Sequence, residues 1–316
     1  MKKNLFLAAC LAIASLSSFG ASLSSIMLQH NGSVTMFDSD KMTSAISAAV
    51  TGDTIYLSEG AFVGDFTIDK AITIIGAGQN TKIQGNITVS IDNTATLTAH
   101  LLDAVSMSGN TLTISKAVKN LKIRKCYIYN FYANANVTDL NIDRCRFIYF
   151  YPFNYVKSGN VLNSYIIDLY GNSGQTNTIN YINCGIYNIH NSGFSGTIIN
   201  STIYTYSTST ISNSVLINTR YPSGLSLATT SSAQNCYTGG SFSVYTDDKM
   251  GGEYYSIPSD WLEENNYVGT DGTIIGMFGG TSPFNLVPNV PTVTESKVSV
   301  DTTNKKLNVT LKVSAN

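Results

Sequence analysis

A short phrase built on one small residue recurs through the middle of this chain, and no other feature narrows the fold as much. It reads Lys125-Cys126-Tyr127-Ile128, Arg144-Cys145-Arg146-Phe147, Asn163-Ser164-Tyr165-Ile166 and Asn183-Cys184-Gly185-Ile186. It continues as Asn200-Ser201-Thr202-Ile203, Asn213-Ser214-Val215-Leu216 and Asn235-Cys236. With the small residue as origin, successive copies stand 19, 19, 20, 17, 13 and 22 residues apart. Other positions keep step. Three before the origin come Ile123, Ile142, Val161, Tyr181, Ile198 and Ile211, and two after it Ile128, Phe147, Ile166, Ile186, Ile203 and Leu216. Five after it come Phe131, Phe150, Leu169, Ile189 and Tyr206, and eight before it Val118, Val137, Val156 and Thr176.

Each repeat holds only short apolar pieces separated by polar bends, and none reaches the roughly 10–12 residues a helix needs. A unit this small cannot bury its own apolar side, so neighbouring units must stack. The pattern predicts an all-β chain folded as a single-stranded right-handed parallel β-helix, with equivalent residues stacked about 4.8 Å apart. A β-sandwich is the competing architecture, but it leaves the register unexplained. The Asn one before the origin suits a left-handed bend, a conformation its short polar side chain tolerates. Stacking also accounts for a composition in which only 12% of residues are charged. A charged repeat position would repel its own copies, whereas Asn, Ser, Thr and Tyr stack without that penalty.

Apart from Cys10, every cysteine (Cys126, Cys145, Cys184, Cys236) occupies the origin position. Ser replaces it in other coils, so these read as small core residues. Cβ atoms about 4.8 Å apart on parallel bonds lie beyond the roughly 3.5–4.5 Å a disulfide prefers. The three histidines, His30, His100 and His190, follow no metal-ligand spacing, and no cofactor motif is present.

The ends are legible as well. Lys2 and Lys3 followed by the apolar run 5–16 and by Ser18-Phe19-Gly20 predict a signal peptide over residues 1–20 and an exported protein, periplasmic, cell-surface or extracellular. The run is too short for a membrane span, which needs about 20 residues. Leu7-Ala8-Ala9-Cys10 also matches a lipid-attachment box, which makes an anchor at Cys10 the alternative. Residues 38–40 followed by 41–50 predict a capped amphipathic helix, with Met42, Ile46, Ala49 and Val50 on its buried face, closing the open end of the solenoid. The β-helix with this cap is expected over 21–285. A Pro-rich link and a C-terminal β-hairpin follow over 286–316, the hairpin marked by alternation at Val298 and Val300 and at Leu307, Val309, Leu311 and Val313.

Gly52-Asp53-Thr54-Ile55-Tyr56-Leu57, Ala71-Ile72-Thr73-Ile74-Ile75-Gly76 and, late in the chain, Gly269-Thr270-Asp271-Gly272-Thr273-Ile274-Ile275-Gly276 with Gly279-Gly280 carry a family likeness. Over roughly residues 38–285 the chain resembles secreted bacterial pectin-lyase-like β-helix proteins. That resemblance implies the fold, but the superfamily spans lyases, hydrolases and non-catalytic proteins. Its lyases imply carboxylate clusters holding Ca²⁺ beside a basic residue, and its hydrolases imply Asn-Thr-Asp, Asp-Asp, Gly-His-Gly and Arg-Ile-Lys motifs. Here the sole Asp-Asp doublet, Asp247-Asp248, falls late, and Gly-His-Gly is missing. Lys122-Ile123-Arg124 reverses the hydrolase phrase. Asp143, one coil from Arg124 at the same position, reads as half of a stacked salt bridge. The weak catalytic candidate is Asp168, with Arg146 and His190 on neighbouring coils.

The aromatic residues offer more. Six after the origin lie Tyr132, Tyr151, Tyr170 and His190, with Tyr129, Tyr149, Tyr187 and Tyr204 on the same side. Rings with an apolar face and a polar tip suit saccharide recognition, and the same rings stacked on one another would stabilise adjacent coils. Nineteen basic against 20 acidic side chains leave a net charge of −1, with no basic face for nucleic acid. The expected role is therefore non-catalytic: a polar-aromatic face, at Tyr132, Tyr149, Tyr151, Tyr170, Tyr187 and His190, for a polysaccharide or cell-surface component. The alternative is a divergent polysaccharide lyase or glycoside hydrolase.

Overall fold

The computed structural model describes residues 24–91, 97, 100–152, 155–171, 178–190, 195–207, 210–238, 243–247, 252–256, 266–285, 292–301 and 306–314, with the backbone alone for 243–247, 252–256 and the last two stretches. The expected signal peptide with Cys10, Thr176, Asp248, the Asp247 side chain, and Pro288 and Pro291 of the expected Pro-rich link lie outside that description. The chain forms two compact units that divide between Leu286 and Val287.

The first unit is a parallel β-solenoid of about nine turns. One 12-stranded sheet runs from Thr54–Leu57 through Thr73–Ile75, Leu102–Asp103, Lys122–Arg124, Leu140–Asp143, Ser158–Leu162, Thr178–Ile182, Gly196–Ile199 and Ser214–Ile217 to Ser232–Gln234. The second includes Ser106–Ile114, Tyr127–Ala133, Arg146–Tyr151, Tyr165–Tyr170, Gly185–His190, Thr202–Tyr206 and Arg220–Tyr221. Between them lies a ladder of inward residues, Ile55, Ile74, Leu102, Ile123, Ile142, Val161, Tyr181, Ile198 and Leu216, each at most 1% exposed. Phe131 and Phe150 stack in the opposite wall, with ring centroids 5.0 Å apart. Each fully buried rung stabilises the stack by roughly 1.5–3 kcal/mol.

The repeat register needs one correction. Ile199 pairs with Ile217, and Thr202 with Arg220, so the coil after Ser201 has its origin at Thr219 and not at Ser214. Leu216, not Ile211, then stands three before it. Origins fall at 126, 145, 164, 184, 201, 219 and 236, and the irregular intervals of 13 and 22 become 18 and 17. Asn213-Ser214 repeats the same bend at a different corner of the coil: Asn213 has φ of 54° and Ser214 donates to Ser212 O at 3.0 Å. Ser214 instead opens a first-sheet strand, paired with Gly196.

At the residue before each origin the backbone is left-handed. Ala104, Lys125, Arg144, Asn163, Asn183, Asn200, Asn218 and Asn235 have φ between 45° and 56°. The origin side chain then closes the bend by donating to the carbonyl two residues back. Ser164 reaches Leu162 O at 2.7 Å, Ser201 reaches Ile199 O at 2.7 Å and Thr219 reaches Ile217 O at 2.9 Å. Cys126, Cys145 and Cys184 do the same through sulfur, to Arg124, Asp143 and Ile182. The origin therefore selects a small residue with a donor, which is why Cys, Ser and Thr interchange there. The four cysteines among the described residues are free thiols, and of these only Cys236 is not fully buried.

The N-terminal end differs from expectation. A β-hairpin, Ser25–His30 and Ser33–Asp38, pairs antiparallel with the first coil and extends the sheet. Its Asn31-Gly32 turn has φ of 46° and 82°, the primed turn that matches strand twist. The one helix among the described residues is Met42–Ala48. Lys41 precedes it without a side-chain cap, so residues 38–40 do not cap it, and Val50 lies beyond its end, 48% exposed. Met42, Ala45, Ile46 and Ala49 form the buried face. Lys70 holds the other helix end, its ammonium donating to the carbonyls of Ile46, Ser47 and Ala49 at 2.9–3.1 Å, a favourable charge at a helix C-terminus. No described helix is long and apolar enough to cross a membrane. The second unit is an antiparallel hairpin, Thr292–Asp301 with Lys306–Ser314.

Candidate functional site

Parallel pairing brings one residue per coil into each outward column, so the polar face of the second sheet is an array set by sequence. Thr113, Tyr132, Tyr151, Tyr170 and His190 make one column, with Thr111, Asn130, Tyr149, Asp168, Asn188 and Thr205 beside it.

In the first column the rings lie face to face. Tyr132 and Tyr151 have centroids 4.3 Å apart and planes 5° from parallel; Tyr151 and Tyr170 are at 4.4 Å and 24°, and Tyr170 and His190 at 4.2 Å and 3°. This geometry decides what the column can offer. The ring faces cover one another, so edges and hydroxyls face the solvent. Tyr149 leans over the stack, 6.1 Å from Tyr151 and 6.4 Å from Tyr170, and Tyr129 meets it edge-on at 5.5 Å.

Asp168 sits among these rings. Its Oδ1 lies 2.6 Å from His190 Nε2 and accepts a hydrogen bond from Asn188 Nδ2 at 3.1 Å. Asn188 exchanges further hydrogen bonds with Ser207. The Asp168 and His190 side chains are about one-fifth exposed, at 19% and 22%. The hydroxyls respond to these neighbours. Burial, with the Tyr132 hydroxyl second, pushes the Tyr151 phenol well above its ordinary range. Burial and then the Asp168 charge raise Tyr170. Tyr149 is raised by Tyr129 first, with Asp168 contributing.

The expected residues divide. Tyr132, Tyr149, Tyr151, Tyr170, His190 and Asp168 come together. Tyr187 is 38% exposed one coil further on, 6.2 Å from Tyr204. Tyr204 is not part of the open face: it is 6% exposed and its hydroxyl meets Met277 Sδ at 3.0 Å. Arg146 shares a rung with Tyr127 and Tyr165 and stands 5.3 Å over the Tyr127 ring, on a different column from Asp168. The stacked Arg124–Asp143 salt bridge is replaced by two others. Arg124 pairs with Asp103, one coil earlier on the same column, and Asp143 pairs with Arg144 at 2.6 Å. An arginine equidistant along the column has a carboxylate on each side, and the Asp103 side, 8% exposed, offers the drier and therefore stronger attraction.

Two features escaped the repeat analysis. Asp103 and His100 belong to a coil whose origin is Val105, with Leu102 three before, Met107 two after and Leu97 eight before; lacking the Asn-Ser phrase, it does not advertise itself. Burial holds the His100 imidazole below its usual range, and Arg124 adds to this. The other feature is a strap, Val268–Phe284, that runs along the Asn ladder. Asn235 donates to Val268 O at 2.9 Å, Thr270 N donates to Asn218 Oδ1 at 2.8 Å and Asn200 donates to Asp271 Oδ2 at 3.0 Å. Asn183 donates to Met277 O and Gly279 O, and Asn163 faces the carbonyls of Ser282 and Pro283. The ladder therefore recognises the chain's own glycine-rich segment.

Among the described residues, no group of three or more His, Cys, Asp or Glu is placed to hold a metal ion. Comparison of the chain with protein-family models, with curated proteins and with solved structures gives no match.

Proposed function

We propose that this is an exported, non-catalytic β-solenoid protein that binds a glycan on the outward face of its second sheet. The observation that carries the reading is the arrangement around Asp168 and Asn188: planar hydrogen-bonding groups, a row of phenol hydroxyls and partly open rings, all fixed by a rigid parallel array. A carboxylate and a carboxamide on adjacent rungs match vicinal sugar hydroxyls. A pre-set site of that kind spends little conformational entropy on binding. The same proposal includes membership of the pectin-lyase-like proteins, resting on Gly52–Leu57, Ala71–Gly76 and Gly269–Gly276, and localisation in the periplasm, at the cell surface or outside the cell.

A polysaccharide lyase or glycosidase is the second reading. It draws on the Asp103–Arg124 and Asp143–Arg144 pairs beside His100, where carboxylates and guanidinium groups converge on the first sheet. Each carboxylate there already has its own arginine, which favours a structural ion-pair ladder.

A glycan array of the mature protein, with Tyr151→Ala, Tyr170→Ala and Asp168→Ala variants, tests the proposal. Binding by the parent that weakens in the variants supports it. Unchanged binding in all three, or a parent that cleaves a polysaccharide and loses that activity in Arg124→Ala, overturns it.

A further inference from the structure

Asp168 has one oxygen engaged and one not. Oδ1 takes the contacts from His190 and Asn188, and no group among the described residues donates to Oδ2. Asp168 is also the only carboxylate, and no lysine or arginine occurs, in the two columns that make up the face: Thr113, Tyr132, Tyr151, Tyr170 and His190, and Thr111, Asn130, Tyr149, Asp168, Asn188 and Thr205. The cations lie elsewhere. Lys122, Arg124 and Arg144 belong to the first sheet and its bend, and Arg146 is over Tyr127. The face therefore presents one carboxylate, held on its Oδ1 side by His190 and Asn188, beside the Tyr149 and Tyr170 rings, which lie 6.4 Å apart.

We infer that the ligand is a glycan bearing free amino groups, a glucosamine-type chain, and not an acidic polysaccharide; this rests on the glycan-binding reading of the same face. An ammonium at Oδ2 would form a charge-assisted hydrogen bond, with the phenol hydroxyls of the neighbouring column as further acceptors. A uronate or sulfate would meet the Asp168 charge with no lysine or arginine in either column to offset it, His190 being the one basic side chain there and already engaged at Oδ1. Burial of four-fifths of the Asp168 side chain reduces solvent screening of either interaction. A hydrogen bond to a charged group corresponds to about tenfold or more in affinity.

The test is calorimetric titration of the mature protein, in near-neutral low-salt buffer, with a glucosamine oligomer, the N-acetylated oligomer of equal length, polygalacturonate and an oligolysine peptide. The expected result is about tenfold tighter binding of the amine form than of its N-acetylated partner, no binding of polygalacturonate, and loss of the amine preference in Asp168→Asn and at high salt. Equal affinity for the two oligomers, or tighter binding of polygalacturonate, overturns the inference while leaving glycan binding intact. Binding of oligolysine without binding of either oligomer overturns it in favour of a basic protein partner. No binding of any saccharide removes the glycan reading itself. Asp168→Asn is nearly isosteric, and an unchanged melting temperature for that variant shows that the lost preference is a lost charge.

Discussion

Replacing Asn183 by Ala should cost about three times as much stability as replacing Asn213 by Ala, although the two sit in look-alike phrases. Both have left-handed backbones, with φ of 53° and 54°. Alanine in that region is strained by roughly 1 kcal/mol relative to Asn. For Asn213, which is exposed, that is the whole effect. Asn183 is 3% exposed and its amide also donates to Met277 O at 3.2 Å and Gly279 O at 2.5 Å. Two hydrogen bonds at about 1 kcal/mol each raise the expected loss to about 3 kcal/mol. Urea unfolding of both variants gives the two values. Limited proteolysis supplies a second readout: Asn183→Ala should speed cleavage within 268–284, and Asn213→Ala should not. Equal losses in the two variants would refute both the register and the role of the ladder in holding the strap.

Two further outcomes follow from the same geometry. Burial pushes the Cys184 thiol up to about 12 and raises Cys145, with Cys236 raised less and only partly buried. A thiol reagent at mildly alkaline pH should therefore label Cys236 first and leave Cys126, Cys145 and Cys184 unmodified until unfolding; labelling of the last three in the folded protein would contradict their packing. Burial also raises the Tyr151, Tyr170, Tyr181 and Tyr204 phenols above the ordinary tyrosine value of about 10. Raised acid constants favour the neutral form in the fold, so stability is complete below about pH 10 and falls as pH climbs above it. Melting temperature against pH, followed with phenolate absorbance, should show ionisation of these rings lagging behind exposed tyrosines and arriving with unfolding.

How much of this could be read from the sequence depends on whether a feature repeats. Ile123, Ile142, Val161, Tyr181 and Ile198 were identifiable as one inward ladder because stacking demands the same residue class at the same phase. So were the Tyr132–Tyr151–Tyr170–His190 column and its outward direction. Ring planes were not, because column membership does not say whether rings stack on each other or open toward a ligand. Asn213-Ser214 misled because it makes the same left-handed bend, closed by the same side-chain hydrogen bond, at another corner of the coil, and only strand pairing separates it from Asn218-Thr219. The strap was hidden for another reason. Its partners lie 33 to 119 residues away and most of their contacts run through the strap's backbone, which carries no side-chain signature. The first hairpin was not anticipated: its Asn31-Gly32 turn is a hairpin signal, but its strands fall outside the repeat and share none of its register.

Tyrosine-selective isotope labelling with an NMR titration of the bound glycan tests the central claim most directly. Ring signals of Tyr132, Tyr149, Tyr151, Tyr170 and Tyr187 should shift together on titration, while those of the buried Tyr165, Tyr181 and Tyr204 stay in place. Shifts confined to tyrosines away from the second sheet's outward face, or no shift in the presence of bound glycan, would contradict it.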